Sequence, residues 1–163
     1  MILRCFALVT VALGLLCGAP TIARGQDPAD DAAVMQALQS FLDGWNSRDV
    51  KKYAAALHFP HVLLENGTVR VYADEAEFLA RGAAHWAAVQ PEWDRTVWEE
   101  RQIVQRLPDT VHVAGRWARL DKTAKVLSKA DVLYVVVRKN GRWSVFTRSG
   151  SRVAQRINGD ALE

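Results

Sequence analysis

Few side chains in this sequence can move a proton near neutral pH. The four histidines, His58, His61, His85 and His112, sit in different contexts. His85 falls at helical spacing between Phe78 and Val89, on the side of a helix that packs inward. It is either an acid or base beside a buried substrate or a core histidine satisfied by one hydrogen bond. His58 and His61 have His-x-x-His spacing, but Pro60 breaks any helix that would hold both on one face. Metal coordination needs about four ligands, so no metal is expected, and helix-end and strand-entry roles are preferred. Asp131 alternates with Leu133 and Val135. Partial burial would raise its pKa and let it orient a histidine; alternatively it is a solvated strand start. The chain has no Gly-rich phosphate loop, no Gly-x-Ser-x-Gly elbow and no nucleophilic cysteine in the mature part, so covalent catalysis is poorly supported and no cofactor is expected.

Around Val113, His112 and Arg116 point to one side of a strand while Val111, Val113 and Trp117 point to the other. If the first side lines a pocket, His112 and Arg116 orient an anionic or carbonyl ligand. If the second does, Trp117 forms an apolar wall and the polar pair faces solvent or a partner. There are six tryptophans in the chain. Most belong to a core or interface; Trp45 is the best pocket candidate, with Trp117 and Tyr134 as further aromatic contacts for a flat ligand.

These groups need elements to place them. Asp27-Pro28 opens a helix in which Val34, Leu38, Phe41 and Trp45 recur at helical spacing, running from Pro28 to Trp45. Asn46 to Asp49 interrupts it, and Val50, Tyr53, Ala54 and Leu57 share one side of a shorter second helix ending before Pro60. Val62 to Leu64 and Thr68 to Tyr72 flank Asn66-Gly67, a hairpin signal. Asp74-x-x-Glu77 starts a third helix carrying Phe78, Gly82, His85 and Val89 and ending at Pro91. Beyond Pro91 the residues favour strands: Val97-Trp98, Ile103-Val104, Val111 to Val113, Val132 to Val137 and Trp143 to Thr147. Asp121 to Lys129 reads as a looser polar connection. Helices in front and strands behind make an α+β domain, a curved antiparallel sheet wrapped around three N-terminal helices, with an open end suited to a small-molecule pocket.

The whole chain is 163 residues, 50% hydrophobic and 24% charged, a balance that fits one globular domain. Residues 1–25 have the grammar of a secretory signal peptide: Arg4, the apolar run Cys5 to Cys17, then Ala23-Arg24-Gly25 before Gln26. The run is too short for a membrane span and no stable anchor survives cleavage. Removing Arg4 and Arg24 from 21 basic residues leaves 19 against 18 acidic ones, which argues against nucleic acid as a partner. Both cysteines leave with the signal. The expected product is an exported, thiol-free domain over residues 26–157, periplasmic or secreted, with a frayed tail at 158–163.

From Asp31 to Val153 the chain resembles the nuclear transport factor 2-like superfamily, especially its SnoaL-like branch. The matching phrases are Phe41-Leu42-Asp43-Gly44-Trp45-Asn46-Ser47-Arg48-Asp49, then Phe59-Pro60-His61-Val62, then Tyr134 to Trp143. The resemblance implies a cone-shaped α+β barrel that often dimerises through the outer face of its sheet. Set against the ketosteroid isomerase members, the tyrosine position falls on Phe41, the carboxylate position near Asn66 with Glu65 beside it, and the later acid loosely on Asp131. Phe41 cannot donate to an enolate oxygen and Asn66 cannot abstract a proton, so that chemistry does not carry over. His61 lies where related folds place a polar pocket residue. The reading is an exported domain binding a small, mainly apolar molecule. If it is an enzyme, it is an isomerase, dehydratase or hydrolase with His61 or His85 as acid/base and Asp131 as orienter. The alternative is a non-catalytic homodimeric binding module. Convergence of His61, His85 and Asp131 on one cavity would separate the two.

Overall fold

The computed structural model describes residues 28–150; the expected signal segment at 1–25 and the expected tail at 158–163 lie outside the described residues. Helix α1 spans Pro28–Asn46 and buries its stripe of Val34, Leu38, Phe41 and Trp45. Asp49 then caps helix α2 (Val50–Ala55), its carboxylate accepting the backbone N–H groups of Lys51 and Lys52. The corner between the two helices is pinned across the molecule: the Asn46 side chain accepts from the Thr96 N–H and donates to the Thr96 carbonyl, both at 2.8 Å.

Strands β1 (Leu57–Glu65) and β2 (Thr68–Tyr72) form the expected hairpin, turning through Asn66 at φ 50° and Gly67 at φ 75°. The third helix is shorter than its pattern suggests. Helix α3 covers only Glu75–Ala80, and a single 3₁₀ segment follows at Gly82–Trp86. Gly82 sits at φ +50°, a left-handed conformation that no α-helix accommodates. The break matters because it lets His85 fold back and stack on Phe78, ring centroids 4.1 Å apart.

Four long strands complete the domain: β3 (Arg95–Leu107), β4 (Thr110–Leu120), β5 (Val126–Lys139) and β6 (Arg142–Gly150). The stretch from Asp121, expected to be loose as far as Lys129, is instead a tight turn. The Asp121 carboxylate accepts from the N–H groups of Thr123 and Lys125 at 2.8 and 2.9 Å, and β5 begins at Val126. The inward residues of that extra strand length are Ser128 and Ala130, too small and polar to reveal a strand by composition.

The strands form one sheet in the order β2-β1-β6-β5-β4-β3. It is mixed, since β1 and β6 run parallel while every other pair is antiparallel. Register shifts along β3–β4 and β5–β6 mark bulges, which bend the strands so that the sheet curls around α1. Val111, Val113, Val132, Tyr134, Val136 and Val145 pack inward against the helices.

Candidate functional site

The register of the sheet places one unbroken rung on its inner face. Arg70 pairs with Leu63, Leu63 with Arg148, Arg148 with Tyr134, and Tyr134 with Val113. Two arginines from distant segments therefore flank Leu63 on the concave side. Neighbouring strands lie about 4.8 Å apart, so their backbones are only about 10 Å apart. Opposite this rung stand α3 and the 3₁₀ turn. Between them lies a cavity of about 390 Å³, walled by the hairpin, by Phe78, Arg81 and His85, and at its inner end by Trp45, Tyr53 and Arg148.

Each wall is fixed by identifiable bonds. Trp45 and Trp93 both donate their indole N–H to the Thr96 hydroxyl, at 3.2 and 3.1 Å. Trp86 on the 3₁₀ turn donates to the Trp45 carbonyl at 3.0 Å, which ties the outer wall to helix α1. His85 Nε2 lies 2.9 Å from the Phe78 carbonyl and so must carry the proton it donates there. Burial lowers the pKa of His85, the hydrogen bond to Phe78 opposes this, and the charges of Arg81, Arg148 and Arg70 lower it further. A neutral imidazole in a ring of arginines results.

Arg148 is the most consequential polar group. Its side chain is 15% exposed, and Nη2 donates to Glu65 Oε1 at 2.7 Å. Its Nε–H has no acceptor within the described protein, and neither has the buried hydroxyl of Tyr72. Removing Glu65 would leave this cation without its carboxylate. The Glu65→Ala variant is expected to lose about 2 kcal/mol in chemical denaturation, less than a fully buried pair because the site opens to solvent. Glu65→Gln, which keeps an acceptor oxygen, should lose less.

His61 is fully buried but does not line the cavity; it packs behind Phe78 and opposite Tyr72 in the register. Its Nδ1 donates to the Phe146 carbonyl at 2.9 Å, and Nε2 has no partner among the described residues. Burial, reinforced by the charge of Arg148, pushes its pKa down to about 3, so the ring is neutral at pH 7. His58 is likewise buried and bonds the Arg142 carbonyl at 3.0 Å. No cluster of three or more metal-ligating side chains forms among the described residues.

Asp131 is far from both histidines in environment, since it stands on the convex face with its side chain 71% exposed. Arg116, its partner across β4–β5, grips it through Nε at 2.6 Å and Nη2 at 3.1 Å. That hydrogen bonding holds its carboxyl below the usual range, the reverse of the rise that burial would cause. His61, His85 and Asp131 therefore do not converge on one cavity. His112 and Arg116 share the convex face, whereas Trp117 pairs with the inward Ala130 and lies under the Arg119 guanidinium, 4.9 Å away. The second of the two orientations read from this strand is the one adopted. Tyr134 is 1% exposed, packed edge-on to Phe41 and Trp98. It supports the floor of the cone and does not line the cavity beside the hairpin.

Arg70, Arg81 and Arg148 carry no local signal in the sequence, and Glu65 enters it only beside the carboxylate position. The sheet register gathers Glu65, Arg70 and Arg148, and the end of helix α3 adds Arg81.

A helical front and a curled six-stranded sheet closing on an inner cavity define the cone-shaped NTF2-like fold. The family model described as NTF2-like protein (DUF6841) matches residues 30–151, and the chain belongs to that family. Among solved structures it is similar to a cystatin-like-fold protein from Nostoc punctiforme, at 17% identity and a TM-score of 0.63, covering 77% of this chain and 92% of the other. A ketosteroid isomerase-like protein from Erwinia carotovora atroseptica aligns at 19% identity and a TM-score of 0.57, covering 78% and 98%. An NTF2-like protein from Shewanella oneidensis aligns at 21% identity and 0.53, covering 77% and 99%. No curated protein matches the chain.

Proposed function

We propose that this chain is an exported small-molecule-binding domain that seats its ligand in the cavity between the β1–β2 hairpin and the α3/3₁₀ wall. The observation that carries this reading is the cavity itself. Its volume of about 390 Å³ falls in the range of small-molecule sites, and polar groups meet aromatic rings at its inner end. Binding without chemistry is favoured over proton transfer, because the carboxylate that would orient a histidine is on the other face of the sheet. If a reaction does occur, His85 is the histidine within reach of a bound molecule.

Native mass spectrometry of protein isolated from its own envelope tests the reading. A co-purifying small molecule that disappears in Ala84→Phe, a substitution at an exposed lining position, is the expected result. No bound molecule in the wild-type protein would count against it. Export is tested by N-terminal sequencing of the same material, which should begin at Gln26; a retained Met1 would contradict it.

A homodimer through the convex face is the second part of the proposal. Val69, Leu64 and Leu133 are exposed there at 61%, 38% and 39% and lie along one rung, with Ser149 between Leu64 and Leu133. Sedimentation should show a dimer that Leu133→Glu dissociates, and a wild-type monomer would refute it.

A further inference from the structure

We infer that the ligand is a carboxylic acid with a flat or slender apolar body, its carboxylate held among Arg148, Arg70 and Arg81. This rests on the small-molecule reading above and narrows it. Three arginines and one glutamate line the cavity among the described residues, leaving two positive charges in excess. The glutamate is already engaged, since Glu65 holds Arg148 through Nη2. Arg70 and Arg81 take part in no ion pair among the described residues.

The unmet hydrogen-bonding capacity has the same sign. Arg148 Nε–H and the Tyr72 hydroxyl belong to lining residues and find no acceptor within the described protein, but both atoms are buried behind the cavity surface. The groups open to a ligand are cationic donors. A group that only accepts, and that carries a negative charge, complements them; an amine or ammonium group would add repulsion. Guanidinium groups suit a carboxylate because their planar donors match its two oxygens. Burial is the main cause of the lowered pKa of His85, and the charges of the same three arginines lower it further.

The rest of the wall selects the body of the molecule. Trp45, Tyr53 and Phe78 present rings, with Trp45 and Phe78 each packed against Tyr53 at centroid distances of 5.5 and 5.3 Å. Ala84, Ala87 and Ala88 add lining that brings no polar side chain. The cavity is thus lined by both cationic and apolar side chains, which suit the two parts of an amphipathic acid.

The test is isothermal titration of the purified protein at low salt with three acids, benzoate, 2-naphthoate and octanoate, and with their three uncharged primary amides. At least one acid is expected to bind about tenfold or more tightly than its amide. In the Arg70→Gln/Arg81→Gln double variant that preference should shrink towards parity, the acid losing more affinity than its amide. Arg70 is exposed and Arg81 half-buried, so this variant keeps the fold, whereas Arg148→Met would strand Glu65. Equal affinity for acids and amides, or a preference that survives the double variant, overturns the carboxylate inference and leaves the cavity reading standing. Binding of none of the six overturns both.

Discussion

Acidification is expected to unfold this protein chiefly through His61. The ring is fully buried, and burial together with the Arg148 charge holds its pKa near 3, against about 6.5 in an unfolded chain. Between those values the unfolded chain binds a proton that the folded protein refuses. Stability from this group is intact above about pH 6.5 and falls as the pH drops, by about 1.4 kcal/mol per unit, until about pH 3. The cumulative loss is on the order of 4–5 kcal/mol, comparable with the whole stability of a small domain. His58 and His85 are shifted in the same direction and add to the slope. Urea denaturation at pH 7.5 and pH 5 should show the difference. His61→Asn, whose amide can still donate to the Phe146 carbonyl, should flatten the dependence; an unchanged slope would show that His61 is not its source.

The second large effect is expected at Gly44. Helices α1 and α2 cross there so closely that a Cβ on Gly44 would stand 2.8 Å from Tyr53 Cα and 2.9 Å from the Lys52 carbonyl oxygen. Both obstacles are backbone, so no side-chain rotation relieves them. In an isolated helix alanine is better than glycine by about 1 kcal/mol. Here the helices must separate, and Gly44→Ala is expected to cost about 3 kcal/mol, the upper end of ordinary overpacking. Tyr53 would move with α2, and Tyr53 lines the cavity, so ligand affinity should fall with stability. A variant as stable as the parent would mean that the helix corner is looser than described.

The helical front, the hairpin and the α+β class are legible in the sequence because each has a local cause: the stripe from Val34 to Trp45, the turn residues Asn66-Gly67, and the strand-favouring residues after Pro91. Alternation along β4 and β5 is legible too. Asp131 does share a side with Leu133 and Val135, but only the assembled sheet shows that this side is convex. The arginine site is hidden for a sharper reason. Val145 faces the core, so simple alternation would put Arg148 outside. A bulge between the Val135–Thr147 and Val136–Val145 pairs inserts one extra residue and turns Arg148 inward beside Tyr134. Its partner Glu65 lies 83 residues earlier on a parallel neighbour, a relation that no local pattern encodes. The expectation of a mainly apolar hollow came from counting aromatics, and it missed the cations that line the same space.

The most direct test of the account is a ¹H–¹⁵N shift map of the purified protein titrated with 2-naphthoate. Perturbations centred on Arg70, Arg81, His85 and Arg148, with Arg116 and Asp131 on the convex face unmoved, are the predicted result. Shifts concentrated around Arg116 and Asp131, with the concave arginines silent, would contradict it.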